Sequence, residues 1–129
     1  MAWTTLELLI ALASGLRATT YGHGELSCGA YPPRPCVAGE VTASGEVFVP
    51  DIPSAAVASP RGMRMRAKWI WIRIASGPTP CVKVRLNDKS HQRWLGNRGF
   101  DLSPGAVRLL TKRPPRADWS ATVEVCAAA

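Results

Sequence analysis

The sequence predicts a single domain of mainly β structure. The chain has 129 residues, which is enough for one hydrophobic core but too few for two. Its 11 glycines and 11 prolines are spread along the chain, as expected for many turns between short strands. Several stretches between these turns alternate apolar and polar residues with the period of two that a β-strand requires. Together these observations favour an all-β fold over a helical bundle.

Residues 1–17 are the exception, because they predict a separate N-terminal helix. The apolar run over residues 4–15 can be capped by Thr4 and ended by Gly15. A signal peptide is the alternative interpretation, but Glu7 interrupts the run and no Lys or Arg precedes it. The run is also too short to span a bilayer. We expect a retained helix that packs on the β domain or on another subunit.

The first strands are predicted from local patterns. Residues 18–22 predict one strand, and residues 40–48 predict a second with a bend at Gly45. Residues 50–60 show no regular pattern and are interpreted as irregular.

Residues 63–74 give the strongest strand signal in the sequence. Basic residues hold the even positions up to Lys68, and isoleucines hold them afterwards. A β-bulge near Lys68 explains this change, because one extra residue turns every later side chain to the other face. Without a bulge there, Trp69 and Trp71 point outward.

The last third of the chain contains a strand, a helix and a final strand. Residues 81–86 alternate cleanly, and Asp88 follows directly after them. Ser103 is a predicted N-cap, with Pro104 at the first position of a short helix. Residues 120–126 predict the closing strand.

Four cysteines predict two disulfides. The sequence contains no CxxC pair, and neither histidine follows a cysteine at the sequence spacing of a zinc site. We therefore expect neither a metal nor a cofactor. An even number of cysteines in a small, turn-rich chain indicates oxidising surroundings. Three pairings are open, and we favour Cys28 with Cys36 and Cys81 with Cys126. Four reduced core cysteines are the alternative.

Four motifs then appear in an order that resembles a known family. They are TYG at residues 20–22, TASGEVF at 42–48, VRLND at 84–88 and FDLS at 100–103. In this order and spacing they look like the signature of rare lipoprotein A-type double-psi β-barrels. Expansins, family 45 endoglucanases and membrane-bound lytic transglycosylase A carry related barrels. The resemblance extends from about residue 19 to residue 126.

The resemblance implies a six-stranded double-psi β-barrel over residues 18–127, with one or two short helices and a groove that holds a cell-wall glycan. Two carboxylates of that groove correspond to Asp88 and Asp101. In lytic enzymes of this kind, one carboxyl protonates the glycosidic oxygen, and the 6-hydroxyl of the sugar closes a 1,6-anhydro ring. The implied function is peptidoglycan binding or lytic transglycosylase-type cleavage.

Two segments depart from the family pattern. The family's TAAH-type segment reads SAAV here, so Val57 stands at the position of a functional histidine. The usual DRGP turn reads DKSH and begins at Asp88. Expansins bind and loosen glycans without hydrolysing them, so a binding role without cleavage is consistent with these departures.

Other residues are candidates for holding the glycan. Tyr21 is expected to line the groove, and Trp94 to stack on a sugar ring. Lys89 and Arg98 lie in the same basic loop as Trp94 and suit the carboxylates of murein peptides. For Trp69 and Trp71, packing in the core or against another subunit is favoured over sugar stacking.

The net charge of +7 excludes little by itself. A basic surface suits nucleic acid, lipid headgroups or murein, and no nucleic-acid motif accompanies the charge, so no specific nucleic acid is expected. The alternative to a glycan-active protein is an inactive structural protein of a virion or envelope. Subunits would then assemble through the N-terminal helix, Trp69 and Trp71. In both cases we expect extracellular or periplasmic surroundings. The protein could there be part of a virion, such as a component of a phage tail.

Overall fold

The computed structural model describes residues 16–21, 39, 41–58, 65–76, 79–90 and 99–126. This part of the chain contains six strands and one helix. The elements are β1 (Leu16–Thr20), β2 (Ser54–Ala58), β3 (Lys68–Ile74), β4 (Val82–Ser90), β5 (Phe100–Leu102), α1 (Pro104–Thr111) and β6 (Ala121–Val125). The chain is therefore mainly β, as predicted.

The six strands close into one barrel in the order β1, β5, β2, β4, β3, β6. Strands β1 and β5 are parallel, as are β2 and β4, and the other four neighbouring pairs are antiparallel. The pairing scheme has an internal symmetry. Exchanging the first three strands with the last three, β1 for β4, β2 for β5 and β3 for β6, leaves every pair and its direction unchanged.

The hydrophobic core fills the barrel and extends beneath α1. Alternate residues of the strands point inward, as the two-residue period of a strand requires. The largest fully buried apolar side chains are Phe100, Ile72, Leu86, Leu102, Leu110, Val57, Val84, Val107 and Val123.

Helix α1 begins as the sequence predicts. The Oγ atom of Ser103 accepts a hydrogen bond from the Ala106 backbone N–H at 3.2 Å, and Pro104 follows the cap. The same Oγ accepts from the Ser54 N–H at 2.9 Å and donates to the Ile52 carbonyl at 2.8 Å. One hydroxyl therefore joins the start of the helix to the start of β2. At Gly105 a Cβ atom would collide with the backbone carbonyl of Asp51, so this helical position requires glycine.

A tight hairpin over residues 41–48 lies on the outside of β4. Val41 and Val47 form an isolated antiparallel bridge, and Gly45 has φ +92°, a conformation that favours glycine. The Ser44 N–H donates to the Asn87 carbonyl at 3.1 Å. The residues predicted as a bent strand are therefore a docked hairpin, because hydrogen bonds within the segment close on themselves: Thr42 donates its N–H to the Glu46 carbonyl at 2.8 Å.

The Cys81–Cys126 disulfide is confirmed, with Cα atoms 6.1 Å apart and a separation of 45 positions in sequence. It joins the segment before β4 to the segment after β6. The predicted pair of Cys28 and Cys36 lies outside the described residues.

Two strand predictions require correction. Strand β2 lies in the segment interpreted as irregular; it was missed because residues 54–57 are all buried and so lack alternating polarity. Strand β4 continues to Ser90, so Asp88 lies within the strand and not after it. The pairing of β2 with β4 allows this extension, because it skips Asn87 and resumes with Ala56 beside Asp88.

The bulge that the structure contains lies between β2 and β4. The bulge predicted near Lys68 is not found in the pairing of β3 with β4. In β3, Ile70 and Ile72 are buried, whereas Trp69 is exposed and Trp71 is half-buried. The interpretation without a bulge at Lys68, in which both tryptophans point outward, is the correct one.

The first strand begins at Leu16, two residues earlier than predicted. The predicted helix over residues 1–17 otherwise falls outside the described residues. Within the described part of the chain, no helix is long and apolar enough to cross a membrane.

Candidate functional site

The two candidate acids lie in one row across four neighbouring strands. Ala56 of β2 pairs in register with Asp88 of β4 on one side and with Asp101 of β5 on the other. Asp101 pairs in turn with Thr19 of β1. Residues paired in register point to the same face of a sheet. The neighbours of Ala56 along β2, Ala55 and Val57, belong to the core, so the row lies on the outer face of the barrel.

The row separates the two acids by a single strand. The backbones of Asp88 and Asp101 are therefore about 9.6 Å apart, twice the usual spacing between strands. Ala56, between them, is only 3% exposed, because the rings of Tyr21 and Phe48 pack on it. The two acids therefore lie on the same outer face, on either side of a covered alanine.

The environment of Asp88 opposes its ionisation. Burial raises the pKa of the Asp88 carboxyl above its ordinary value of 3.8. The opposing influences are smaller: the backbone N–H groups of Ala43, at 3.0 Å, and of Lys89, at 2.8 Å, both donate to Oδ1 and favour the carboxylate. The positive charge of Lys89 acts in the same direction. A buried carboxyl with a raised pKa is a suitable proton donor.

Asp101 is held from the side of β1. The Thr19 hydroxyl donates to Oδ1 of Asp101 at 2.9 Å, which restricts the orientation of the carboxylate. Although Asp101 precedes the helix, it is a strand residue, and Ser103 is the residue that caps α1.

Tyr21 covers the floor of the site. Its ring stacks on Phe48, with centroids 5.0 Å apart, and the two rings pack with Ala56. Burial raises the pKa of the Tyr21 hydroxyl far above its ordinary value, and the charges of Asp88 and Asp101 raise it further. Tyr21 thus lies within electrostatic reach of both acids and stays protonated.

The Tyr21 hydroxyl is a buried donor. It lies close enough to Asp88 to lower the pKa of that carboxyl, yet no described group completes a hydrogen bond with it by distance and angle. An unsatisfied buried hydroxyl costs free energy, and a hydrogen-bonding ligand would recover part of it.

The hairpin delivers a backbone donor to Asp88, and an ion pair holds it in place. Glu46 accepts from Arg85 Nη2 at 2.8 Å and from Nε at 3.1 Å, and from Asn87 Nδ2 at 3.3 Å. These contacts lower the pKa of Glu46, chiefly through the Arg85 hydrogen bonds. Glu46 therefore supports the site by holding the hairpin on β4, without facing the acids.

The structure brings together only some of the predicted site residues. Asp88, Asp101 and Tyr21 meet at the row, and Lys89 adjoins it through its backbone N–H. Trp94 and Arg98 lie outside the described residues. Val57 is in the core with 1% of its surface exposed, so the residue that faces both acids from β2 is Ala56.

Sequence reasoning overlooked two members of the row, Ala56 and Thr19. Ala56 stands inside the SAAV segment, and Thr19 immediately precedes the TYG motif. What was missing was the strand register, which decides that Thr19 stands beside Asp101 and that Ala56, not Val57, faces outward. Among the described residues, no cluster of three or more His, Cys, Asp or Glu side chains is arranged to hold a metal ion.

The fold and this row define the chain as a closed six-stranded β-barrel that carries two carboxylates on one outer face. No protein-family model matches the sequence, and comparison with curated proteins also gives no match.

Proposed function

We propose that the chain is a double-psi β-barrel of the rare lipoprotein A type that binds peptidoglycan and cleaves it as a lytic transglycosylase. Two features support the family: the order of the four motifs in the sequence, and the closed barrel of six strands that the resemblance implies.

The row of Asp88, Ala56 and Asp101 is the observation that carries the proposal. Two carboxylates on one outer face, one of them with a raised pKa, match the pair of acids that glycosidic bond cleavage uses. Protonated Asp88 donates its proton to the glycosidic oxygen, so that the bond to the leaving sugar breaks. The 6-hydroxyl oxygen attacks the anomeric carbon, its proton passes to the Asp101 carboxylate, and a 1,6-anhydro ring forms.

The other residues of the site position these groups. Thr19 orients Asp101, and the hairpin N–H of Ala43 orients Asp88. The buried hydroxyl of Tyr21 acts on the site through Asp88, whose carboxylate form it favours. This mechanism needs no histidine at the SAAV segment, because each proton transfer is assigned to a carboxyl group.

The test is release of anhydro-muropeptides from purified sacculi, quantified by mass spectrometry. We expect the wild-type chain to release them, and Asp88→Asn to reduce the rate by about 10²- to 10⁴-fold, the usual contribution of a general acid. Asp88→Asn should still co-sediment with sacculi, because its Oδ1 can accept the same two backbone N–H groups. Asp118→Asn, at an exposed aspartate paired with Arg116, is the matched control and should leave the rate unchanged.

The proposal fails if the wild-type chain neither releases anhydro-muropeptides nor co-sediments with sacculi. Co-sedimentation without release would restrict the function to glycan binding, as in expansins.

A structural protein of a virion or envelope is the second candidate. The observation that favours it is the number of large apolar side chains left exposed on one segment: Val41, Val47, Val49 and Ile52 are between 37% and 69% exposed. The sacculus assay separates the two candidates, because an assembly unit without glycan chemistry would release nothing.

A further inference from the structure

The outer face of β3 and β4 carries an aromatic and basic surface away from the row of acids. Trp69 is 52% exposed and Trp71 is half-buried, and both point outward. On β4, Arg85 pairs in register with Trp69, and Lys83 pairs with Trp71. Tryptophan and arginine are the residue types that contribute most to binding energy at protein interfaces.

Two cations are held over the Trp69 ring. Lys83 Nζ lies 4.6 Å from the ring centroid, and Arg85 Cζ lies 5.0 Å from it. Cation–π attraction of this kind restrains flexible basic side chains. The surface is therefore partly organised before any partner binds.

Two of the three basic side chains on this surface are in ion pairs. Arg85 is paired with Glu46 at 2.8 Å, and Arg73, at the other end of the surface, is paired with Glu124 at 2.6 Å. Between them, Lys83 has no carboxylate within ion-pair distance among the residues that the structure describes. A basic group with aromatic neighbours thus stands between two neutralised arginines.

We propose that this surface binds an acidic peptide segment whose carboxylates are widely spaced. One carboxylate pairs with Lys83, and an apolar side chain beside it packs on the exposed part of Trp69. The net charge of +7 favours an acidic partner and opposes self-association through this basic face.

The spacing of charge separates a peptide from nucleic acid. Duplex DNA carries about one negative charge per 1.7 Å of its axis. Such a chain, laid across Lys83, would place its other phosphates over the two ion pairs, which carry no net charge. A peptide with a single carboxylate at the centre matches the one cation of this surface that is not in an ion pair with any described residue.

This surface does not depend on the proposed glycan chemistry. Lys83 precedes Asp88 by five residues on the same strand, a distance of about 16 Å along it. The docked hairpin contacts β4 between them, at Arg85 and Asn87. The two sites can therefore be tested separately.

The test is titration of the full chain at low ionic strength with a short synthetic peptide in which a single glutamate stands between leucines, followed by NMR through the indole N–H signal of Trp69. Trp69→Phe assigns that signal. We expect saturable binding that Lys83→Gln weakens about tenfold, as for loss of one charge-assisted contact, and that Lys83→Arg preserves. Arg113→Gln removes the same charge from an exposed residue beyond α1 and should leave the affinity within about twofold of wild type.

Three results would overturn the proposal: no saturable shift of the Trp69 signal, equal weakening by Lys83→Gln and Arg113→Gln, or stronger binding of duplex DNA, polygalacturonate or poly-L-glutamate than of the peptide at equal total charge. Asp88→Asn should leave this titration unchanged, so that failure of the glycan proposal and failure of this one are distinguishable.

Discussion

At the scale of single residues, Asp88 combines two opposing influences on one carboxyl group. Two backbone N–H groups donate to its Oδ1, which alone would make it an ordinary hydrogen-bonded aspartate. Burial outweighs them, and the pKa is raised. The same residue can therefore be firmly oriented and still be available as an acid.

The raised pKa of Asp88 predicts a pH dependence of stability. Between the unfolded value, close to 3.8, and the higher folded value, the native state binds more protons than the unfolded state. Below both pKa values Asp88 does not reduce the free energy of unfolding. As the pH rises from the unfolded pKa to the folded pKa, the free energy of unfolding falls. For each unit by which the two pKa values differ, this fall in the free energy of unfolding is about 1.4 kcal/mol.

We expect Asp88→Asn to become more stable relative to wild type as the pH rises from 4 towards neutrality. The amide cannot ionise, and it keeps an oxygen that accepts both N–H bonds. Thermal unfolding of the two proteins across this pH range measures the difference. A difference in melting temperature that does not change with pH would show that burial does not perturb Asp88.

At the scale of elements, the junction of β2 and α1 depends on one side chain. Ser103 is fully buried, and its hydroxyl serves the helix cap, the first N–H of β2 and the Ile52 carbonyl. Since β2 carries the floor of the site, the cap of α1 also stabilises the position of Ala56.

Ser103→Ala should lower the free energy of unfolding by about 3 kcal/mol, because it removes an N-cap and leaves a buried N–H unsatisfied. Urea denaturation measures this loss. Ser120→Ala is the control: its exposed hydroxyl accepts one hydrogen bond from Arg17 at 3.2 Å, and we expect a change within about 0.5 kcal/mol. Equal effects of the two changes would contradict the role assigned to Ser103.

At the scale of the whole molecule, the barrel is closed by β6, which pairs with both β1 and β3. The Cys81–Cys126 bridge fixes the end of this strand to the start of β4. By restricting the unfolded chain, a crosslink across 45 residues contributes about 4 kcal/mol on the chain-entropy model.

Replacing both Cys81 and Cys126 by alanine should therefore lower the free energy of unfolding by about 4 kcal/mol. Denaturation without reductant measures this effect. Adding reductant to the double variant provides the control, because any further loss of stability then comes from the other two cysteines. If the double variant matches wild type without reductant, the bridge does not stabilise the barrel.

Local sequence patterns were sufficient for the elements whose causes are local. Ser103 and Pro104 specify the start of α1 within one helical turn. The alternation of Val82, Val84 and Leu86 specifies a strand with one buried face. The β class followed from such signals, because capping and alternation act between near neighbours in the chain.

The extent of β4 and the location of β2 required the tertiary structure. Ala55 and Ala56 give no strand signal, because neither face of β2 is exposed, and only pairing with β4 and β5 holds them extended. Likewise the bulge at Asn87 is a property of two strands in contact, which neither sequence segment encodes alone.

The sequence by itself therefore determined a mainly β fold, its helix cap and two conspicuous aspartates, whereas it left the pairing of the cysteines open. Only the tertiary structure decided that Asp88 and Asp101 share a row, because their strands are not neighbours in the barrel and meet through Ala56. Side-chain chemistry is carried by each residue, but the face on which it appears depends on strand register. Register is set by contacts between residues that are far apart in the chain.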